Sequence, residues 1–275
     1  MFDIVIRGGT VVDGSGAAPF EADVAIDGTK IVANGEGPGP AHREVDATGR
    51  LVTPGRVDIH THYDGEATWD PQLSPSGWHG VTAAVMGSCG VGFAPVRHDQ
   101  HDFLIQLMEG VEDIPGAALA EGLTWGWESF AEYLDVVDSM PRSIDVATQV
   151  PHGAVRAYVM GQRGADNEPA TAHDIAEMRQ ITQDALEAGA LGFSTSRTFL
   201  HRAKDGKLVP GTNAETDELE AIGDALHAAG HGVFQIASGL DPEDAELEWM
   251  QHITDTTGRR VMFSVVQSSG NPDQW

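Results

Sequence analysis

From about residue 54 onward the sequence alternates short apolar runs with stretches of helical periodicity, and this rhythm limits the fold more than any other feature. Thr171 can cap a helix with Asp174 three residues on; Ile175, Met178, Ile181 and Leu186 then share one face, Gly189 ends it, and 190–194 reads as strand. Thr216 opens a second helix with Leu219, Ile222 and Leu226 inward, stopped at Gly230 and followed by a strand over 233–237. Asp241-Pro242 opens a third with Leu247, Met250 and Ile253 inward, followed after Gly258 by a strand over 261–266. Earlier strands are expected at 57–60, 81–86 and 144–150, the last preceded by a helix around Phe130, Tyr133, Leu134 and Val137. Strands separated by helices indicate a parallel sheet, so the expected class is α/β. The spacing suits a TIM-type (β/α) barrel showing six of its eight strands, over residues 54–275.

Residues 1–53 have a different grain. Ile4-Val5-Ile6, Thr10-Val11-Val12, Val24-Ala25-Ile26 and Lys30-Ile31-Val32 are separated by Gly8-Gly9, Asp13-Gly14 and Asp27-Gly28. Short β runs broken by such turns predict a separate small antiparallel β unit of sandwich type.

The chain has 275 residues, of which 16 are Lys or Arg and 42 Asp or Glu, a formal charge of −26. A surface this acidic repels phosphate backbones and anionic lipid, so nucleic acid and membrane are not expected partners. Cys89 stands alone, which excludes an internal disulfide and fits a reducing compartment. No signal-peptide pattern opens the chain, so the expected location is the cytoplasm. Homo-oligomerisation stays open.

His60-Thr61-His62 falls where the first barrel strand should end. Alternate strand residues face one way, which would put both imidazoles on the catalytic face of a barrel, an arrangement suited to Zn²⁺. Cys89 follows the second strand in a glycine-rich loop and could share the metal; an inert buried cysteine and a histidine-activated nucleophile are the alternatives. His152 follows the third strand, where it could meet substrate or serve only the loop. His79 precedes the second strand and reads as structural. After the fourth strand, Arg197, Arg202, Lys204 and Lys207 gather with His201 in a strongly acidic chain. Such a loop could steer a small anionic substrate, with Arg197 holding a carboxylate, or could be a solvated surface.

Taken together, Ile6-Arg7-Gly8-Gly9-Thr10, Thr53-Pro54-Gly55 leading to His60-Thr61-His62, Gly80-Val81-Thr82 leading to Gly87-Ser88-Cys89-Gly90, His152-Gly153-Ala154 and Gly189-Ala190-Leu191-Gly192-Phe193-Ser194-Thr195 resemble the amidohydrolase superfamily, in its D-aminoacylase (N-acyl-D-amino-acid deacylase) branch. The resemblance implies metal-dependent hydrolysis of an N-acyl-D-amino acid to a carboxylate and a free amino acid. It makes His60, His62 and Cys89 metal ligands, with one zinc ion expected rather than two. The family's histidines at the ends of the fifth and sixth strands are missing, since Gln235 and Gln267 stand near those positions, and its catalytic aspartate belongs to an eighth strand. No catalytic base is identified. The expectation is therefore the N-terminal part of a longer amidohydrolase, poorly soluble and inactive alone; the alternative is a silent relative that binds carboxylates without turnover.

Overall fold

The computed structural model of the protein describes residues 1–35, 37–239 and 244–264. It divides into two compact units, Met1–Arg56 and the chain from Val57 onward.

In the first unit β1 (Phe2–Val11) is the central strand. β2 (Phe20–Asp27) pairs with it antiparallel and carries β3 (Lys30–Gly35) on its outer edge. β4 (Ala41–Asp46) and β5 (Leu51–Val52) both pair with β1 in parallel. The described strands thus form one mixed five-stranded sheet, not the purely antiparallel arrangement expected. The turns at Asp13-Gly14 and Asp27-Gly28 set antiparallel pairings, but nothing local in the sequence reveals that β4 and β5 return alongside β1. Val11, Ala22 and Val24 form a small core with Ile6, Ile26 and Val52 against them.

In the second unit six strands among the described residues lie side by side in chain order: β6 (Arg56–Asp58), β7 (Val81–Met86), β8 (Asp145–Pro151), β9 (Gly192–Ser196), β10 (Val233–Ala237) and β11 (Arg260–Phe263). The pairings from β7 through β11 are parallel, as the alternation of strand and helix requires. The crossovers hold α1 (His101–Glu112), α2 (Gly116–Gly122), α3 (Phe130–Ser139), α4 (His152–Met160), α5 (Gln162–Ala165), α6 (Ala172–Ala188), α7 (Thr216–Ala229) and α8 (Asp244–Thr257). No helix among the described residues is long and apolar enough to cross a membrane.

Local chemistry accounts for the helix ends. The Thr171 hydroxyl accepts the Asp174 amide while the Asp174 carboxylate accepts the Thr171 amide at 2.8 Å, a reciprocal cap repeated by Ser129 and Glu132 on α3. On α7, Leu219, Ile222 and Leu226 are fully buried and Gly230 stops the helix in the left-handed region. On α8, Met250 and Ile253 are buried, but Leu247 is 43% exposed, contrary to expectation. Trp249 takes the inward direction and packs edge-on against Phe234, which rotates the buried face away from Leu247. The cap expected at Asp241-Pro242 and the strand residues after 264 lie outside the described residues.

α1 is a helix not expected from the sequence. Leu104, Ile105, Leu107 and Met108 bury one of its faces, and its last turn carries the long loop after β9. The Lys204 amide donates to the Gln106 carbonyl at 3.2 Å, and Lys204 Nζ reaches Glu109 at 2.7 Å. Gly110 makes this approach possible, because a Cβ there would lie 2.4 Å from backbone atoms of Ala203 and Lys204. In an open helix Gly→Ala stabilises by up to about 1 kcal/mol. Here Gly110→Ala should instead destabilise by about 1–3 kcal/mol through overpacking, read as a lowered denaturation midpoint.

Candidate metal centre

β6 ends at Asp58, so His60 and His62 lie just past the strand and not on it. Their common direction comes from Thr61 between them. The Thr61 amide and hydroxyl both donate to the Val85 carbonyl, at 2.8 and 2.9 Å, which turns Thr61 inward and its neighbours the other way. Tyr133 fixes the far end of this segment by donating to the Asp64 carbonyl at 2.8 Å. The His60 and His62 rings come to rest edge to face, with centroids 5.4 Å apart.

The loop after β7 brings in the third group. Gly87 turns with φ 74° where a Cβ would lie 2.2 Å from the Gln149 carbonyl oxygen, so no larger residue fits. Cys89 itself is left-handed (φ 58°), an uncommon conformation for a side-chain-bearing residue, and long-range bonds hold it there. Its amide donates to Gln235 Oε1 on β10 at 3.1 Å, the Gly90 amide to Ser194 Oγ on β9 at 3.0 Å, and the Gly153 amide to the Gly90 carbonyl at 2.9 Å. Cys89 Sγ then lies 3.1 Å from His60 Nε2, and one donor atom from each of His60, His62 and Cys89 falls within 4.8 Å of the others. The three line a pocket of about 320 Å³ with Glu112, His201 and Ser238.

The electrostatics suit a cation. Burial, with His60 and His201 nearby, pushes the His62 imidazole down to about 3, and burial also lowers His60 and His201. These rings are therefore neutral, each keeping one unprotonated nitrogen, and His62 Nδ1 is buried without a partner. Burial, then Glu112 and Asp64, push the Cys89 thiol up, so without a cation it stays protonated. That disfavours a free thiolate nucleophile. Two imidazoles and one thiol are a donor set suited to zinc.

The amidohydrolase family model matches residues 43–275. The chain belongs to that family. It is 33% identical to D-aminoacylase of Alcaligenes xylosoxydans xylosoxydans over 270 residues, covering 97% of this chain and 50% of that one. A solved D-aminoacylase with a binuclear metal centre, showing one-metal activation and second-metal attenuation, superposes with a TM-score of 0.78 at 30% identity. That match covers 98% of this chain and 53% of the other. N-acyl-D-glutamate deacylase from Bordetella bronchiseptica, solved with zinc and a phosphonate mimic of the tetrahedral intermediate, gives 0.74 at 28% identity over 94% of this chain and 50% of that one. The chain thus spans about half the length of the relatives it matches.

Within this member of the family, two expected substrate-binding residues lie elsewhere. His152 opens α4 and is completely buried, its Nδ1 2.8 Å from Thr195 Oγ1 and its Nε2 2.7 Å from Glu218 Oε1. With both ring nitrogens engaged, it does not line the pocket. Arg197 is likewise committed: Nε and Nη2 bond Glu246, and Nη1 donates to the Thr212 and Ala214 carbonyls at 2.8 Å. Its role is to tie the loop after β9 to α8. From that basic loop it is His201 that reaches the pocket, its Nδ1 3.1 Å from Ser196 Oγ. Gln235 is buried, its amide oxygen holding the Cys89 amide, and Gln267 lies outside the described residues. His79 closes a short 3-10 turn before β7. Glu112 and Glu218 escaped the sequence reading; the apolar spacing of Leu104, Leu107 and Met108 could have revealed the helix that carries the former.

Glu218 anchors a sealed network. Arg156 Nη1 donates to both Glu218 oxygens, and Arg156 and Glu218 are each 1% exposed. Burial opposes ionisation of Glu218, but the bonds from His152 and Arg156 outweigh it and hold the carboxyl at about 2. Burial keeps His152 neutral by lowering its pKa, against the pull of Glu218. On unfolding, Glu218 regains its ordinary value near 4.5 and His152 its value near 6.5, so the unfolded chain binds more protons below each. Stability should therefore decline as pH falls below about 6.5 and more steeply below about 4.5, as measured by thermal melts across pH. Glu218→Gln, which leaves the Arg156 charge buried, should cost about 3–5 kcal/mol at neutral pH and flatten the acidic part of that profile.

Proposed function

We propose that this chain carries the metal-binding part of an amidohydrolase acting on the amide bond of N-acyl-D-amino acids, with His60, His62 and Cys89 holding a single zinc ion. The convergence of these three donors, from segments following two adjacent strands, is the observation that carries this reading. The D-aminoacylase and the zinc-containing N-acyl-D-glutamate deacylase among its relatives support the reaction, the stereochemistry and the metal. The six parallel strands are read as the first six of a TIM-type barrel, with residues 1–53 as its small β unit.

A divalent ion in this site would supply a Lewis acid for the scissile carbonyl and bring the pKa of water toward neutrality. The chain's own part is to hold its neutral imidazoles and thiol in place before the ion arrives, through the Thr61–Val85 and Cys89–Gln235 bonds. His201 and Ser238 stand at the same pocket; the Ser238 hydroxyl donates to the Ser264 carbonyl, whereas the His201 ring can donate a hydrogen bond to an anionic substrate. Arg197, its donors already used, is not assigned that task.

The protein should take up one equivalent of zinc, and His62→Ala should lose most of it by elemental analysis. Chelation should strip the ion and lower the melting temperature, with added zinc restoring both. Equal and negligible metal in both proteins would overturn the reading.

A further inference from the structure

His201 reaches the pocket at the base of a braced hairpin. Arg202 and Leu208 bridge its two arms, the Ala203 amide donates to the Lys207 carbonyl at 2.8 Å, and the Val209 amide donates to the His201 carbonyl at 3.3 Å. Lys204 fastens the hairpin to α1 through Glu109, Lys207 fastens it to the end of α5 through Asp166, and Arg202 donates to the Gly206 carbonyl. The loop's lysines and arginines are thus engaged in holding it, and among its basic residues His201 alone lines the pocket.

A group outside the pocket orients the ring. Ser196 ends β9 and is completely buried, and its Oγ lies 3.1 Å from His201 Nδ1, the only hydrogen-bond partner of that hydroxyl among the described residues. The hydroxyl has one proton to donate, and a buried donor left unpaired is rarer than an acceptor with a spare lone pair. Ser196 therefore donates to Nδ1. Burial lowers the His201 pKa, so at neutral pH the ring holds a single proton, and with Nδ1 accepting, that proton sits on Nε2. Nε2 has no hydrogen-bond partner among the described residues, and Ser196 does not line the pocket, so Nε2 is the edge of the ring left to the cavity.

We propose that Ser196 locks His201 with its proton on Nε2, which makes His201 the neutral donor that holds the carboxylate of an N-acyl-D-amino acid beside the metal donors. The proposal rests on the reading of His60, His62 and Cys89 as the metal centre of an amidohydrolase. In that reading the scissile carbonyl is the metal's partner, and the carboxylate is the substrate's remaining strong acceptor. His201 is then a substrate-binding residue and Ser196 a positioning residue. A ring fixed as a donor serves affinity and placement, and does not take a proton from water.

Two measurements on the 275-residue protein test it. In nitrogen NMR spectra of histidine-labelled protein, the His201 signals, assigned by their loss in His201→Gln, should show Nε2 protonated and Nδ1 bare. Ser196→Ala should move the ring toward the other tautomer. In calorimetry on the zinc-loaded protein, His201→Ala should bind N-acetyl-D-leucine about tenfold or more weakly than the wild type, the loss of a hydrogen bond to a charged group. His201→Gln, which can still donate, should recover part of that loss. N-isopentylacetamide, the same molecule without the carboxylate, should bind wild type and His201→Ala alike, and both should hold equal zinc. The His201 variants carry the test should Ser196→Ala fold poorly. A proton on Nδ1, an unchanged tautomer in folded Ser196→Ala, equal affinity of wild type and His201→Ala for N-acetyl-D-leucine, or no binding of it by zinc-loaded wild type would each overturn the proposal and leave the metal centre standing. Loss of zinc in His201→Ala would overturn it too, by making His201 a ligand. A wild type that takes up no zinc overturns the amidohydrolase reading itself.

Discussion

The loop after β7 is wedged between strands that come much later in the chain, and the candidate site exists because of that wedge. Gly87 lies against Gln149, Gly90 is held by Ser194, and the Cys89 amide is held by Gln235, a partner 146 positions away. Each bond satisfies a buried polar group that would otherwise cost about 1–3 kcal/mol. Together they keep a cysteine in a left-handed conformation it would not adopt alone. The sheet thus positions the thiol less through the strand that precedes it than through the three that follow.

Much of this architecture is legible from local patterns. The Thr171 and Ser129 caps, the apolar stripe of α7 and the ends of most strands follow from residues within one or two turns of one another. His60, His62 and Cys89 are readable because their spacing places them after adjacent strands of a parallel sheet. What stays hidden is what depends on distant partners. The parallel return of β4 and β5 beside β1, the rotation of α8 about Trp249, and the committed donors of Arg197 are all decided by contacts between segments far apart in sequence. Arg197 is the clearest instance: its place in a basic loop suggests a ligand, yet Glu246 and three backbone carbonyls engage it.

The excess of acidic groups takes a different form at each depth. On the surface it is a diffuse field of charge −26 that salt screens. In the core, Glu218 is neutralised by Arg156 and stays ionised well below its usual range. Glu112, which lines the pocket, and the buried Asp64 behind it lack a basic partner among the described residues, and burial pushes them up to about 7 and about 8. The contrast between a compensated and an uncompensated buried acid within one unit separates scaffold from site.

The bond between Gln235 and the Cys89 amide also gives the protein a folding chronology. During synthesis Cys89 emerges long before β10, and until that strand docks nothing from it can hold the loop. Docking of β10 supplies that acceptor and fixes the backbone that carries the buried cysteine. Chain order therefore makes the site a late product of folding, complete only once the fifth strand of its sheet is in place.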